Sequence, residues 1–298
     1  MKNFKGKTVI VSGGAEGIGF GIAQAMGREG MNVVLGDIDK QQLDIAQKKL
    51  EREGIAVVAQ LTDVTDAKQW QALGQLALAH FGKVHMLVNN AGVSSPPGPI
   101  ENTDHQDWDW VIDVNLKGVV YGAEAIVPLI KQHQDGGWLI NVGSMAGMIG
   151  VPFTGAYTAT KLAVVGMSES WSVELANDNI QVSVVCPAFV KTRIHLSGRN
   201  RQDHHKNIAG SINADESTIQ QENTNSIAAL VENGMSPEAV GQRVVEAVAQ
   251  GELYIFTHPD QRAVVQKRFN AIDAAFERSE SSPIVGDIKQ GKMDAFGL

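Results

Sequence analysis

The sequence predicts an α/β fold: a single doubly wound domain with a seven-stranded parallel sheet and helices on both faces. Three observations predict it. Short, almost wholly apolar runs alternate with amphipathic runs of about 10–20 residues, the pattern of βαβ units. The apolar runs are nearly continuous, as expected of strands covered on both faces. At 298 residues, with 43% apolar and 19% charged side chains, the chain is long enough to bury a core without disulfide or metal staples.

Thr8–Ser12 (TVIVS) reads as the first strand, followed by a glycine-rich turn and a helix to about Arg28. Asn32–Asp37 is the second strand and Lys40–Glu53 a helix with a polar face. Ile55–Gln60 and Val84–Asn89 are strands three and four, with a helix over Asp66–Phe81 between them. Helical periodicity covers about His105–Leu116 and Gly118–His133, with a kink expected around Asn115. Trp138–Val142 is strand five, Ala156–Asn177 a long helix and Ile180–Cys186 strand six. The pattern then changes. Arg193–Asn233 is polar, with scattered Ile194, Leu196, Ile208, Ile212 and Ile219, and reads as a lid with short helices. Ser236 is a good N-cap and Pro237 suits a first helical position, so a helix resumes there and runs to about Gln250. Leu253–Thr257 is strand seven, and Asp260–Arg278 a last amphipathic helix. The expected organisation is one domain over 1–258, including the 193–233 loop, and a helical extension over 259–298.

Charge excludes several classes. The chain has 25 basic and 33 acidic side chains, and no Lys/Arg run exceeds two residues, so nucleic-acid binding is not expected. One cysteine, Cys186, cannot form an internal disulfide and fits a reducing compartment. No apolar stretch approaches the ~18 residues of a membrane span, and no signal peptide is evident; the expectation is a cytoplasmic protein.

Four groups of residues carry chemistry. Gly13-Gly14-Ala15-Glu16-Gly17-Ile18-Gly19 lies between a strand and a helix, where glycines let the backbone approach a pyrophosphate at the helix N-terminus. A tight turn would also use glycines, but the flanking strand and helix favour the anion site. Asp37 ends strand two, where a dinucleotide fold places the acid for the ribose hydroxyls; the bland alternative is an Asx turn or cap beside Asp39. No Arg occupies 14–16 or 38–39 and Glu16 adds negative charge, a combination favouring NAD over NADP. Tyr157 and Lys161 are four apart on a helix and share a face, so the cation can favour the phenolate; such pairs also occur as plain surface pairs. Ser144, Asn115 and Asn89-Asn90-Ala91-Gly92 each also read as turns or local hydrogen-bonders. Their joint placement at the carboxyl ends of successive strands, where open α/β sheets bind ligands, carries the reading.

With these motifs in order over about 6–192, the sequence resembles the classical short-chain dehydrogenases/reductases, Rossmann-fold enzymes. The matching elements are SGGAEGIG at 12–19, Asp63-Val64, NNAG at 89–92, Asn115, Ser144, YTATK at 157–161, and Pro187 with Val190 and Thr192. The resemblance implies that Gly13, Gly17, Ile18 and Gly19 cradle the pyrophosphate, with Ser12 and Pro187 in the same cofactor set, and that Asp37 holds the ribose. It places Asp63 and Val64 at adenine, Asn90, Ala91 and Gly92 along the cofactor, and Val190 and Thr192 at the carboxamide. Tyr157 is then the general acid/base, Ser144 orients the substrate oxygen, Lys161 holds the nicotinamide ribose and lowers the Tyr157 pKa, and Asn115 supports a relay water. Three residues depart from the pattern: Ser12 for Thr, Gly143 for Ser, Ala188 for Gly.

Met145, Met148, Phe153 and Phe189 flank the site and suggest an apolar or aromatic pocket, with core packing as the alternative. His204 and His205 lack a spaced carboxylate or Cys, so no metal site is expected. The MKNF start, long loop and extended tail are similar to Cα-dehydrogenases of lignin-type aryl ethers, which oxidise bulky benzylic alcohols. The expected function is an NAD-dependent oxidoreductase interconverting a secondary alcohol and its ketone. Alternatives are an NADP-linked ketoreductase, a non-catalytic nucleotide-binding protein, or dehydration or epimerisation on the same fold. The expected partners are a small-molecule substrate and further copies of the chain, in a homodimer or homotetramer built on the helices near 118–133 and 156–177.

Overall fold

A computed structural model describes residues 3–205 and 226–287. Seven parallel strands form one sheet in the order β3-β2-β1-β4-β5-β6-β7. They are β1 (Thr8–Ser12), β2 (Asn32–Asp37), β3 (Val57–Leu61), β4 (Met86–Asn89), β5 (Gly137–Val142), β6 (Ile180–Cys186) and β7 (Tyr254–Phe256). The predicted doubly wound α/β fold is the fold observed. Strand order reverses between β1 and β4, where Val9 is in register with both Val33 and Met86. A crevice opens at the carboxyl ends of such a pair.

Alternate β1 residues serve two cores. Val9 and Val11 pack with Ile22 and Met26 of α1 (Gly17–Arg28), Leu43 and Leu50 of α2 (Lys40–Arg52), and Val240 and Val244 of α8 (Pro237–Gln250). Ile10 belongs to the opposite core, with Trp70 and Leu73 of α3 (Ala67–Phe81), Trp110 of α4 (His105–Ile112), and Ile126 and Ile130 of α5 (Gly118–Lys131). This period-two division is why the strand reads as unbroken apolar sequence. Caps set the helix starts: Asp39 accepts from Gln42 N, Asp66 from Lys68 N and Ser236 from Ala239 N.

Several boundaries differ from the sequence reading for local reasons. Ile55 N closes onto Leu50 O at 3.1 Å, so that residue ends the α2 turn and β3 begins at Val57. The kink expected at Asn115 is a π-helical turn, Asp113–Lys117, joining α4 and α5 without a break. Helix α6 (Gly155–Glu174) gives way to a 3₁₀ turn over Ala176–Asp178, and Asn179 turns into β6 with φ 54°.

After β6 come 3₁₀ segments at Ile194–Asn200 and Asp203–His205, then helix α7 over 226–232. Ile208, Ile212 and Ile219 of the expected lid lie outside the described residues. The return is pinned beside the β6 exit: Lys191 N donates to Met235 O at 2.8 Å and Met235 N to Phe189 O at 3.0 Å. The chain divides into two units, Met1–Thr257 and His258–Leu298; the second contains α9 (Arg262–Glu280). No helix among the described residues is long and apolar enough to cross a membrane.

Candidate active site

The glycine turn is shaped by close approach. Gly13 and Gly17 have φ of 58° and 55°, and a Cβ on Gly19 would lie 2.2 Å from Gly13 O. Glu16 occupies the N-cap of α1, but its side chain does not cap the helix. A backbone cradle at an uncapped helix N-terminus fits the pyrophosphate of a dinucleotide.

Two side chains brace this cradle. Ser12 Oγ donates to Val88 O and accepts from Asn90 N at 3.0 Å and Ala91 N at 3.2 Å. Asn90 Nδ2 donates to Ser12 O and Gly13 O, both at 2.9 Å. The exits of β1 and β4 are thus stapled through a hydroxyl, which explains why serine suffices at position 12. Gly92 lies beside Asn115 and Lys161.

Asp37 is buried at the end of β2. Its Oδ2 accepts from Ala15 N and its Oδ1 from Asp39 N, each at 3.0 Å. Burial pushes its pKa up, opposed by these two amides. The Asx turn is therefore realised at one oxygen, while the other faces the glycine turn. Asp63 accepts from Thr65 N and Oγ1, and Val64 O accepts from the Trp70 indole at 3.1 Å. Thr192 packs on the glycine turn, its Cγ2 3.0 Å from where a Gly17 Cβ would stand. Val190, two residues earlier, is buried, and Pro187 O accepts from Met145 N at 2.9 Å.

Ser144, Tyr157 and Lys161 come together at the β5 end. Ser144 Oγ accepts from Ala146 N at 3.1 Å. A hydrogen bond with Ser144 pulls the Tyr157 pKa down, but burial has the larger effect and raises it. Lys161 Nζ donates to Val142 O at 2.8 Å and lies 5.6 Å from the Tyr157 ring centroid. Burial pushes its pKa down to about 8. The sequence reading has Lys161 lowering the Tyr157 pKa. In the structure the net shift of Tyr157 is upward and set by burial, while the Lys161 ammonium donates to the Val142 carbonyl. Asn115 sits in the π turn with its carboxamide bound to Val93. Cys186 is buried nearby and its thiol is pushed up to about 12, which keeps it protonated and poorly nucleophilic at neutral pH.

The expected pocket residues divide. Met145 and Met148 are buried, whereas Phe153 and Phe189 are 55% and 43% exposed. Phe153 holds φ 64°, an uncommon conformation for a bulky side chain, with its carbonyl accepting from Gly98 N at 2.9 Å. Leu196, half exposed on the following segment, belongs to the same class of surface.

Sequence reasoning missed the long-range partners. It treated Glu16 as uncompensated charge, yet Arg193 and Arg199 both form ion pairs with it, from 177 and 183 residues away. It also missed a buried chain in which Asn89 Nδ2 donates to Asn141 Oδ1 and Asn141 Nδ2 to Ser168 Oγ, each at 2.9 Å. The amide types at strand ends were the available signal; the partners were not. One metal-type cluster among the described residues, His85, His133 and Asp135, lies before β4 and β5, at the sheet edge opposite the site. Thr8 N donates to His85 Nδ1 at 3.1 Å, occupying that lone pair and leaving the proton on Nε2, and Lys83 holds Asp135 at 2.7 Å. The cluster is therefore poorly suited to a metal.

A doubly wound sheet that carries an anion cradle at its strand-order reversal, with a half-buried phenol one strand further along, defines the class: a dinucleotide-binding oxidoreductase. The short chain dehydrogenase family profile matches residues 7–203. The chain belongs to the short-chain dehydrogenase/reductase family. It is 32% identical to a C alpha-dehydrogenase of Sphingobium sp. over 284 residues, covering 95% of this chain and 90% of that protein. It is 40% identical to a 3-alpha-(or 20-beta)-hydroxysteroid dehydrogenase of Mycobacterium tuberculosis over 195 residues, covering 63% of this chain and 70% of that protein. A Burkholderia phymatum short chain dehydrogenase/reductase crystallised with NAD superposes with a TM-score of 0.87 at 33% identity, covering 92% of this chain and 97% of that one.

Proposed function

We propose that this protein is an NAD-dependent dehydrogenase that interconverts a bulky or aromatic secondary alcohol and its ketone. The observation that carries this reading is the half-buried Tyr157 phenol beside Ser144, with the Lys161 ammonium one helical turn away and 5.6 Å from the ring centroid.

In oxidation, the substrate hydroxyl gives its proton to the Tyr157 phenolate as the carbinol hydrogen leaves as hydride. Bound NAD supplies the hydride acceptor. Ser144 hydrogen-bonds the same substrate oxygen and aligns it with Tyr157. Lys161 contributes positive charge that favours the phenolate and holds a ribose hydroxyl. In reduction Tyr157 returns the proton. Asn115 acts by fixing Val93 beside Gly92.

For the cofactor, Ser12, Gly13, Gly17, Ile18 and Gly19 cradle the pyrophosphate. Asp37 holds the adenosine ribose, Asp63 and Val64 meet adenine, and Asn90, Ala91 and Gly92 line the cleft. Pro187, Val190 and Thr192 meet the carboxamide. Asp37, already tied to the glycine turn, repels a 2′-phosphate and favours NAD, and the Burkholderia relative was crystallised with NAD. A second reading, an NADP-linked ketoreductase, draws on Arg193 and Arg199, but both guanidiniums are engaged by Glu16. The exposed Phe153 and Phe189, and relatives named for C alpha and hydroxysteroid oxidation, support an apolar substrate. We place the active form in a homodimer or homotetramer through α5 and α6, in the cytoplasm. A panel of aryl and aliphatic secondary alcohols with NAD⁺, followed by absorbance of the reduced cofactor, tests the reading. No oxidation of any member of the panel, and no reduction of the matching ketones by NADH, overturns it.

A further inference from the structure

The segment 193–205 does not stay beside the nicotinamide end of the cleft, where Thr192 leads into it. Its side chains reach across to the adenosine half. Arg193 and Arg199 pair with Glu16 of the glycine turn, and Ser197 Oγ accepts from Ser94 N at 3.2 Å just past β4. Gln202 Nε2 then lies 3.0 Å from both carboxylate oxygens of Asp63. The other end of the Gln202 carboxamide accepts from the buried Trp110 indole at 3.1 Å, so it is held from both sides. Arg201, stacked over Trp110 and paired with Asp107, fixes the neighbouring backbone.

A primary amide donating to a carboxylate makes the hydrogen bond that an adenine exocyclic amino group would make there. Asp63 Oδ1 already takes two donors from Thr65, so Gln202 uses much of the acceptor capacity left. We propose that Gln202 is an affinity-determining residue of the adenine subsite: it is a built-in competitor for Asp63, and an adenine nucleotide binds by displacing it. Displacement also strips Trp110 Nε1 of its acceptor. The adenine subsite is thereby coupled to the chain that leads from Thr192 into the substrate loop. The inference rests on the assignment of Asp63 to adenine under the proposed function.

The test uses ADP-ribose, which carries the adenosine half without nicotinamide, so its readouts are independent of turnover. Calorimetry should give Gln202→Ala about 10-fold to 100-fold tighter binding than the native chain, the scale of one hydrogen bond to a charged group. Gln202→Met keeps the side-chain length and loses only the polar end. It should tighten binding by a similar factor, which separates the lost bond from a packing defect. Amide hydrogen exchange over 200–205 should speed up when ADP-ribose binds the native chain, and should already be fast, without further change, in both variants. Equal affinity in all three proteins, with exchange over 200–205 indifferent to bound ADP-ribose, overturns this inference and leaves the dehydrogenase reading standing. Failure of all three to bind ADP-ribose overturns both.

Discussion

Asn115 satisfies both backbone groups of Val93: its Nδ2 donates to Val93 O at 2.9 Å and its Oδ1 accepts from Val93 N at 2.8 Å. The π turn aims a fully buried carboxamide at the chain leaving Gly92. The family resemblance gives Asn115 a part in a water relay. Its side chain also holds the loop that leaves Gly92, which makes it a positioning residue for the site.

Asn115→Ala leaves two buried main-chain groups without partners, a loss of about 2–4 kcal/mol. Asn115→Asp keeps the acceptor for Val93 N but sets a buried carboxylate oxygen against Val93 O, and should lose at least as much. Urea unfolding of both variants checks the order. An Ala variant as stable as the native chain would contradict the pinning role.

Tyr157→Phe keeps the ring and removes the hydroxyl. The expected outcome is kcat lower by about 10²–10⁴ with dinucleotide affinity nearly unchanged. Ser144→Ala should also lower kcat, by releasing the substrate oxygen from alignment. Steady-state kinetics beside calorimetric binding separate the two effects, and substantial turnover by the Phe variant rules out the proton-transfer role.

Lys161 carries a stability cost that function explains. Its folded pKa of about 8 lies below the ordinary 10.5, so the folded chain disfavours the ammonium. Between these values the unfolded chain binds more protons, and stability rises with pH. Below about pH 8 the penalty is complete. Lys161→Met, despite leaving Val142 O without its donor, should be more stable than the native chain at pH 7 by about 1–3 kcal/mol. The gap should shrink as pH approaches 10. Paired denaturation curves at pH 7 and pH 10 decide, and a gap that grows with pH has the wrong sign for this account.

Cofactor preference tests the charges at the glycine turn. NAD⁺ should exceed NADP⁺ in kcat/KM by at least ~10-fold, about 1.4 kcal/mol. Asp37→Ala should narrow the ratio by weakening NAD⁺ and relieving repulsion of the 2′-phosphate. Glu16→Gln frees Arg193 and Arg199 and should narrow it further, through better use of NADP⁺. Initial rates with both cofactors measure each step; a ratio unmoved in the double variant removes these carboxylates from the selection.

By itself the sequence determined whatever depends on spacing along one element. Thr8–Ser12, Asn32–Asp37 and Ile180–Cys186 were legible to the residue, because strands covered on both faces read as nearly continuous apolar runs. The glycine turn followed from its place between a strand and a helix. Tyr157 and Lys161 shared a face because helix geometry puts positions four apart together. Tertiary structure alone decided which groups those residues meet. Lys161 finds the Val142 carbonyl, Asn115 finds Val93, Glu16 finds guanidiniums 177 and 183 residues away, and Asp63 finds Gln202 across 139 residues. The reason is that periodicity encodes how deeply a side chain is buried, while a hydrogen-bond partner depends on which distant segments the strand order and the loop after β6 bring to one edge of the sheet.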